Sequence, residues 1–189
     1  YILENISASK SNFRTHSVET SGSSLPGRSR AYINGFNMDF ADFSGDGLLD
    51  IVLGEVVEPG HSLGTHLIWL EQPANLSDKW KVQNIGQTTP DELVGIRLAD
   101  INNDGFKDVM TGGYSRGSRS EDGKSAPGQS LARMAWFEHP KDLSKPWIRH
   151  DISRRVRGMF DKFIAKDMDM DGDIDFTNIA ATTLLGGVI

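Results

Sequence analysis

Apolar residues in this chain fall into short runs broken by Gly, Asp, Asn and Pro, and no stretch carries a sustained helical period. Short alternating runs bounded by turn residues read as antiparallel β-strands. The clearest set lies at 94–99, 109–112, 134–138 and 147–152. The apolar runs Ile51-Val52-Leu53, Val109-Met110-Thr111 and Phe176-Thr177-Asn178-Ile179 each follow an acidic loop. The pattern predicts an all-β protein.

The runs also repeat. Trp69-Leu-Glu71-Gln-Pro73 matches Trp136-Phe-Glu138-His-Pro140, and each is followed by Leu-Ser and a second Trp, Trp80 and Trp147. The N-terminus fits the same frame: Ile2-Leu3-Glu4-Asn5 aligns with Trp69-Leu70-Glu71-Gln72, and Phe13-Arg-Thr-His16 with Trp147-Ile-Arg-His150. Each unit holds four short strands. Four strands at a period near 60 residues is the pattern of a β-propeller blade. The expected organisation is the last two strands of one blade in 1–18, whole blades in 19–85 and 86–152, and the first half of a further blade in 153–189. The paired Trp residues then belong to the packing between strands, with sugar stacking as the other reading. About three blades do not close a ring, and open sheet edges invite association. The remaining blades are expected from the rest of a longer parent chain or from another copy.

Candidate chemistry sits between the first and second strand of each unit. Three nine-residue windows read D-x-[DNS]-x-D-G-x-x-D, starting at Asp42, Asp100 and Asp167. Oxygen side chains stand at positions 1, 3, 5 and 9: Asp42, Ser44, Asp46 and Asp50; Asp100, Asn102, Asp104 and Asp108; Asp167, Asp169, Asp171 and Asp175. Position 7 offers a backbone carbonyl, from Leu48, Phe106 and Asp173. Hard oxygens at alternate positions of a tight loop suit Ca²⁺, so up to three ions are expected. The loops are not EF-hands, because position 12 is Leu53, Thr111 or Asn178 rather than Glu and no helix flanks them. A single copy also reads as an Asp-Gly hairpin turn with solvated carboxylates. Three phased copies favour the metal, and five Asp between 167 and 175 would repel one another without a cation.

With these residues the chain resembles the FG-GAP/VCBS repeats, which build the seven-bladed propeller of integrin alpha chains and many secreted microbial propellers. The resemblance implies a Ca²⁺ ion in each loop. The Trp-Leu-Glu-Gln-Pro strand is nearest in character to propellers of polysaccharide lyases and of aldos-2-ulose dehydratase. It implies an extracellular or cell-surface module that recognises a carbohydrate or a protein partner. Ser44 departs from the usual Asp or Asn and makes the first loop the weakest site.

Composition sharpens this picture at three points. There is no Cys, which excludes a disulfide scaffold, a thiolate zinc site and a Cys nucleophile. The net charge of −6 disfavours general nucleic-acid binding. Eleven of the 26 acidic residues belong to the three loops, leaving 15 against 20 Lys and Arg elsewhere. No run is long and apolar enough to span a bilayer, and with neither an initiator Met nor a signal sequence the chain reads as a mature form or a fragment.

Blade topology would place loops 19–34, 54–66, 86–94, 112–133 and 153–159 on the face opposite the acidic loops. That face would gather Arg28, Arg30, Arg116, Arg119, Arg133, Arg154, Arg155 and Arg157, with Tyr32, His61, His66 and Tyr114. Arg rather than Lys suits bidentate recognition of carboxylate or sulfate, so an anionic glycan is the expected ligand. The plainer reading is surface Arg paired with Glu55, Glu58, Asp91 and Glu121. An alternative reading is a carbon–oxygen lyase or sugar dehydratase using His61, His66, Tyr32 or Tyr114 as base; another is an adhesion or assembly protein. His16, His139 and His150 read as structural. Asn5-Ile-Ser7 and Asn75-Leu-Ser77 are glycosylation acceptor motifs at equivalent places in successive units.

Overall fold

The computed structural model describes residues 1–7, 11–57, 65–88, 91–114, 132–154 and 162–178. Every regular element among them is a β-strand. The first hairpin joins β1 (Ile2–Asn5) to β2 (Phe13–His16). After the two-residue β3 (Thr20–Ser21) come β4 (Ile33–Ala41), β5 (Asp50–Glu55), β6 (His66–Glu71) and β7 (Trp80–Gln87). β4 to β7 form an antiparallel meander, and β3 adds to the β7 edge in parallel, with Thr20 opposite Trp80. A second meander holds β8 (Glu92–Ala99), β9 (Asp108–Tyr114), β10 (Ala132–Glu138) and β11 (Ile148–Arg154). A last hairpin pairs β12 (Phe163–Lys166) with β13 (Asp175–Asn178). The strands expected at 94–99, 109–112, 134–138 and 147–152 are thus β8 to β11 in the expected order, with ends shifted by one or two residues.

The sheets stack face to face in chain order. Val52, Leu67, Trp69 and Ile85 of the first meander interlock with Leu93, Ile96, Val109 and Phe137 of the second. The other face of the first meander buries Ile51, Leu53, Ile68, Leu70 and Trp80 with Ile2 and Val18 from the hairpin side. The other face of the second buries Met110 and Met134 against Phe163 of β12. A sheet covered on both faces loses the polar alternation of a half-exposed one. All six residues of β5 are accordingly buried. β4, β8 and β12, the first strands of successive sheets, lie side by side.

The meander-to-meander contact is tight at one place. A Cβ added to Gly86 would stand 2.5 Å from Cε1 of Phe137, so β7 carries glycine there to admit the ring. Trp69 and Trp80 are 2% and 0% exposed and have no free face for a sugar. Trp136 stacks on His150 at 4.2 Å and Trp147 packs edge-on to Phe43 at 5.6 Å.

The same polar pair recurs at matching places. Glu4 meets His16 at 2.9 Å, Gln83 donates to Glu71 at 2.8 Å, and Glu138 meets His150 at 2.8 Å. Each pair is separated by twelve residues across one hairpin. His16 and His150 therefore have structural partners, as expected.

Candidate metal centre

The three Asp windows follow β4, β8 and β12, and they are built alike. The Asp at position 1 curls the loop around its own carboxylate. Asp42 accepts from the amides of Gly45 at 2.7 Å and Gly47 at 2.8 Å; Asp100 accepts from Asp104 at 2.9 Å and Gly105 at 2.8 Å; Asp167 accepts from Met170 at 2.7 Å and Gly172 at 3.1 Å. The Asp at position 5 accepts from the amide two residues on, in all three loops. Such turns need left-handed backbone at positions 4 and 6. Position 6 is always glycine, with φ of 86°, 91° and 100° at Gly47, Gly105 and Gly172. Position 4 is Gly45, Asn103 and, less comfortably, Met170 at φ 64°.

Position 9 anchors the loop to the sheet. Asp50 accepts from the amides of Phe43 at 2.9 Å and Gln72 at 2.9 Å. Asp108 accepts likewise from Ile101 at 2.9 Å and His139 at 2.8 Å. Asp175 accepts from Met168 at 3.0 Å. Asp50 and Asp108 are fully buried. Burial pushes both carboxyls above the usual range, against the pull of the amides. These two residues are thus structural acceptors as well as candidate ligands.

The third loop suits a hard cation best. One oxygen from each of Asp167, Asp169 and Asp175 lies within 4.8 Å of the others. Ligands at about 2.4 Å on opposite sides of one ion stand about that far apart. Asp173 shares a hydrogen bond with Asp171, and their repulsion adds to it; together they hold Asp173 above the usual carboxylate range. In the middle loop the Asp104 carboxylate is already engaged by Lys141 Nζ at 3.2 Å and Asn102 Nδ2 at 3.1 Å. In the first loop the Ser44 hydroxyl turns onto Asp42 at 3.4 Å.

The loops also touch one another. Asn103 Nδ2 donates to the carbonyl of Gly172 at 3.0 Å, joining the middle loop to the third. His139 joins the first to the middle: its ring stacks on Phe106 at 5.0 Å and on Phe43 at 6.3 Å. Its Nδ1 accepts the Lys141 amide at 3.0 Å, which fixes the neutral ring.

The second group of expected site residues is only partly gathered. Tyr32 lies beneath two guanidiniums, Arg28 at 5.4 Å and Arg30 at 5.3 Å. Arg28 donates to the carbonyls of Val56 and Val57, and Glu55 is taken by Ser23 and Ser24, so the Arg–Glu55 pairing of the plainer reading does not form among the described residues. Arg30 and Tyr32 line a cleft of about 680 Å³ with Glu19, Thr20, Ser29 and Lys79. His66 is not in a loop: it begins β6, is 9% exposed, and sits opposite Glu55. Its run His66-Leu-Ile-Trp-Leu-Glu is buried on both faces, so the strand start carries no alternation. Tyr114 ends β9 in the other meander, opposite Glu92 of β8. Arg133 and Arg154 have their backbones in β10 and β11 rather than in loops. His61, Arg116, Arg119, Arg155 and Arg157 lie outside the described residues, as do Glu58 and Glu121.

Sequence reasoning missed Glu55 as an anchor, because its partners are about thirty residues away. It also missed Lys141, whose only signal is that Ala74 holds the matching place after Pro73.

Burial lowers the basicity of both His66 and His139. The unfolded chain then binds protons that the folded one refuses, so stability falls as pH drops through about 6.5, the ordinary His value, toward the folded values. Chemical denaturation across this range should give a declining midpoint, with a shallower decline in His66→Gln. An equal slope in the two proteins would count against the burial of His66.

No helix among the described residues is long and apolar enough to cross a membrane. Comparisons of this chain with protein-family models, with curated proteins and with solved structures find no match.

Proposed function

We propose that this chain is a calcium-binding β-propeller module of the FG-GAP/VCBS type, built from four-stranded blades, that works outside the cell and recognises an anionic glycan. The observation that carries the reading is the threefold recurrence of one loop, with the same internal hydrogen bonds, beside stacked antiparallel sheets. Carboxylates, an amide or hydroxyl oxygen and a backbone carbonyl form a flexible all-oxygen set, which favours Ca²⁺ over the stricter octahedron of Mg²⁺. When bound, the ion would neutralise the loop carboxylates; Asp167, Asp169 and Asp175 are the first candidates to hold it.

The glycan assignment is supported by the cleft beside Tyr32. Arg30 and Lys79 offer two cations beside one acid, Glu19, and Thr20 and Ser29 offer hydroxyls, while the Tyr32 ring is engaged by Arg28 and Arg30. Such a set suits a carboxylated or sulfated sugar. An array of neutral, uronate-bearing and sulfated glycans, probed in Ca²⁺, tests it. Retention of acidic glycans, weakened about tenfold by Arg30→Ala, is the expected result. An array on which acidic glycans are held no better than neutral ones refutes the assignment.

A further inference from the structure

Lys141 is set against the middle acidic loop by its surroundings. It follows Pro140 at the end of β10, has left-handed backbone with φ of 59°, and donates its amide to His139 Nδ1 at 3.0 Å. His139 is itself held by the hydrogen bond its backbone N–H donates to Asp108 Oδ1 at 2.8 Å and by the rings of Phe43 and Phe106. The Lys141 stem therefore leaves a fixed point, and Nζ reaches Asp104 Oδ2 at 3.2 Å. Asp104 is at position 5 of its loop, where an oxygen ligand is needed. The corresponding residue of the first unit is Ala74, which has no charge to offer.

We infer that Lys141 is a built-in competitor for the middle loop: its ammonium occupies the Asp104 oxygen that a divalent cation needs, and so lowers the affinity of that one site. The inference rests on the calcium reading above and adds to it a residue that grades the sites. An ammonium and a divalent ion cannot share one carboxylate oxygen closely, since each must then sit within about 5 Å of the other. Even at water-like screening, charges of +1 and +2 at that distance repel enough to change affinity about tenfold. Lys141 must swing out for the middle loop to fill. The middle loop then answers to a higher cation concentration than it would with alanine at this place. Asn102 reinforces the competition, because its Nδ2 donates to Asp104 Oδ2 at 3.1 Å while its Oδ1 is taken by the Asp104 amide at 3.2 Å.

Isothermal titration of the chain with CaCl₂ tests the inference. Lys141→Gly is the main variant because glycine accepts the left-handed backbone. One site should tighten about tenfold in Lys141→Gly, whereas Lys141→Arg, which keeps the cation, should match wild type. In an Asp100→Ala background, which removes the middle site, Lys141→Gly should change nothing. A wild-type isotherm with bound Ca²⁺ that Lys141→Gly leaves unaltered overturns the role of Lys141 and spares the calcium reading. A gain that persists in Asp100→Ala also overturns it, by placing the effect elsewhere. A wild-type chain that takes up no Ca²⁺ overturns both.

Discussion

Asp108→Ala is expected to destabilise the fold by about 3–5 kcal/mol, with or without Ca²⁺, because it strips the acceptor from one buried and one half-buried amide at about 1–3 kcal/mol each. Those amides are Ile101 N, at the start of the loop, and His139 N, at the end of β10. One side chain thus ties the loop to a neighbouring strand of its own sheet. For a chain of this length the loss corresponds to a thermal midpoint lower by roughly 10 °C. Asp42→Ala, by contrast, removes an exposed turn acceptor and should cost about 1 kcal/mol, as helix caps do. Melting both variants in EGTA checks this. If Asp108→Ala melted like wild type in EGTA, the residue would be a metal ligand and nothing more, and the anchoring account would fail.

Phe137→Ala is expected to cost about 3–5 kcal/mol, the ordinary range for deleting a buried aromatic ring. The ring is 2% exposed and lies between the two meanders, against Gly86. Gly86→Ala approaches the same contact from the other side. Its new Cβ would fall 2.5 Å from the ring, so overpacking of about 1–3 kcal/mol is expected. The two changes should not add. Once Phe137 is alanine, the methyl at 86 meets open space and its cost should vanish, a coupling of more than about 1 kcal/mol in a double-mutant cycle. Additive costs would mean that the meanders do not pack through this pair. Denaturant titration of the four proteins gives the coupling directly.

Much of this arrangement is legible in the sequence because its causes are local. An Asp at position 1, a Gly at position 6 and an Asp at position 9 lie within one turn of chain, so their spacing alone carries the loop. The matched Glu4–His16 and Glu138–His150 pairs follow from equal spacing across equivalent hairpins. What is not legible depends on contacts between distant segments. Ser23 and Ser24 reach Glu55, which turns an ordinary strand-end acid into a buried anchor. His139 becomes a link between two loops only when the meanders stack and bring Phe43 beside Phe106. The parallel strand β3 is two residues long and has no period to read. The Arg residues that suggest one basic face by their order in the chain differ in what they contact: Arg28 and Arg30 both lie over Tyr32, but Arg28 is held on backbone carbonyls while Arg30 lines the cleft.

Thermal unfolding of the chain in millimolar Ca²⁺ and in EGTA tests the central claim most directly. A site saturated at about 100 times its dissociation constant contributes about 2.7 kcal/mol. At roughly 2–4 °C per kcal/mol, one filled loop should raise the midpoint by about 5–10 °C, and Asp167→Ala should remove part of that gain. The same midpoint in Ca²⁺ and in EGTA would contradict the account.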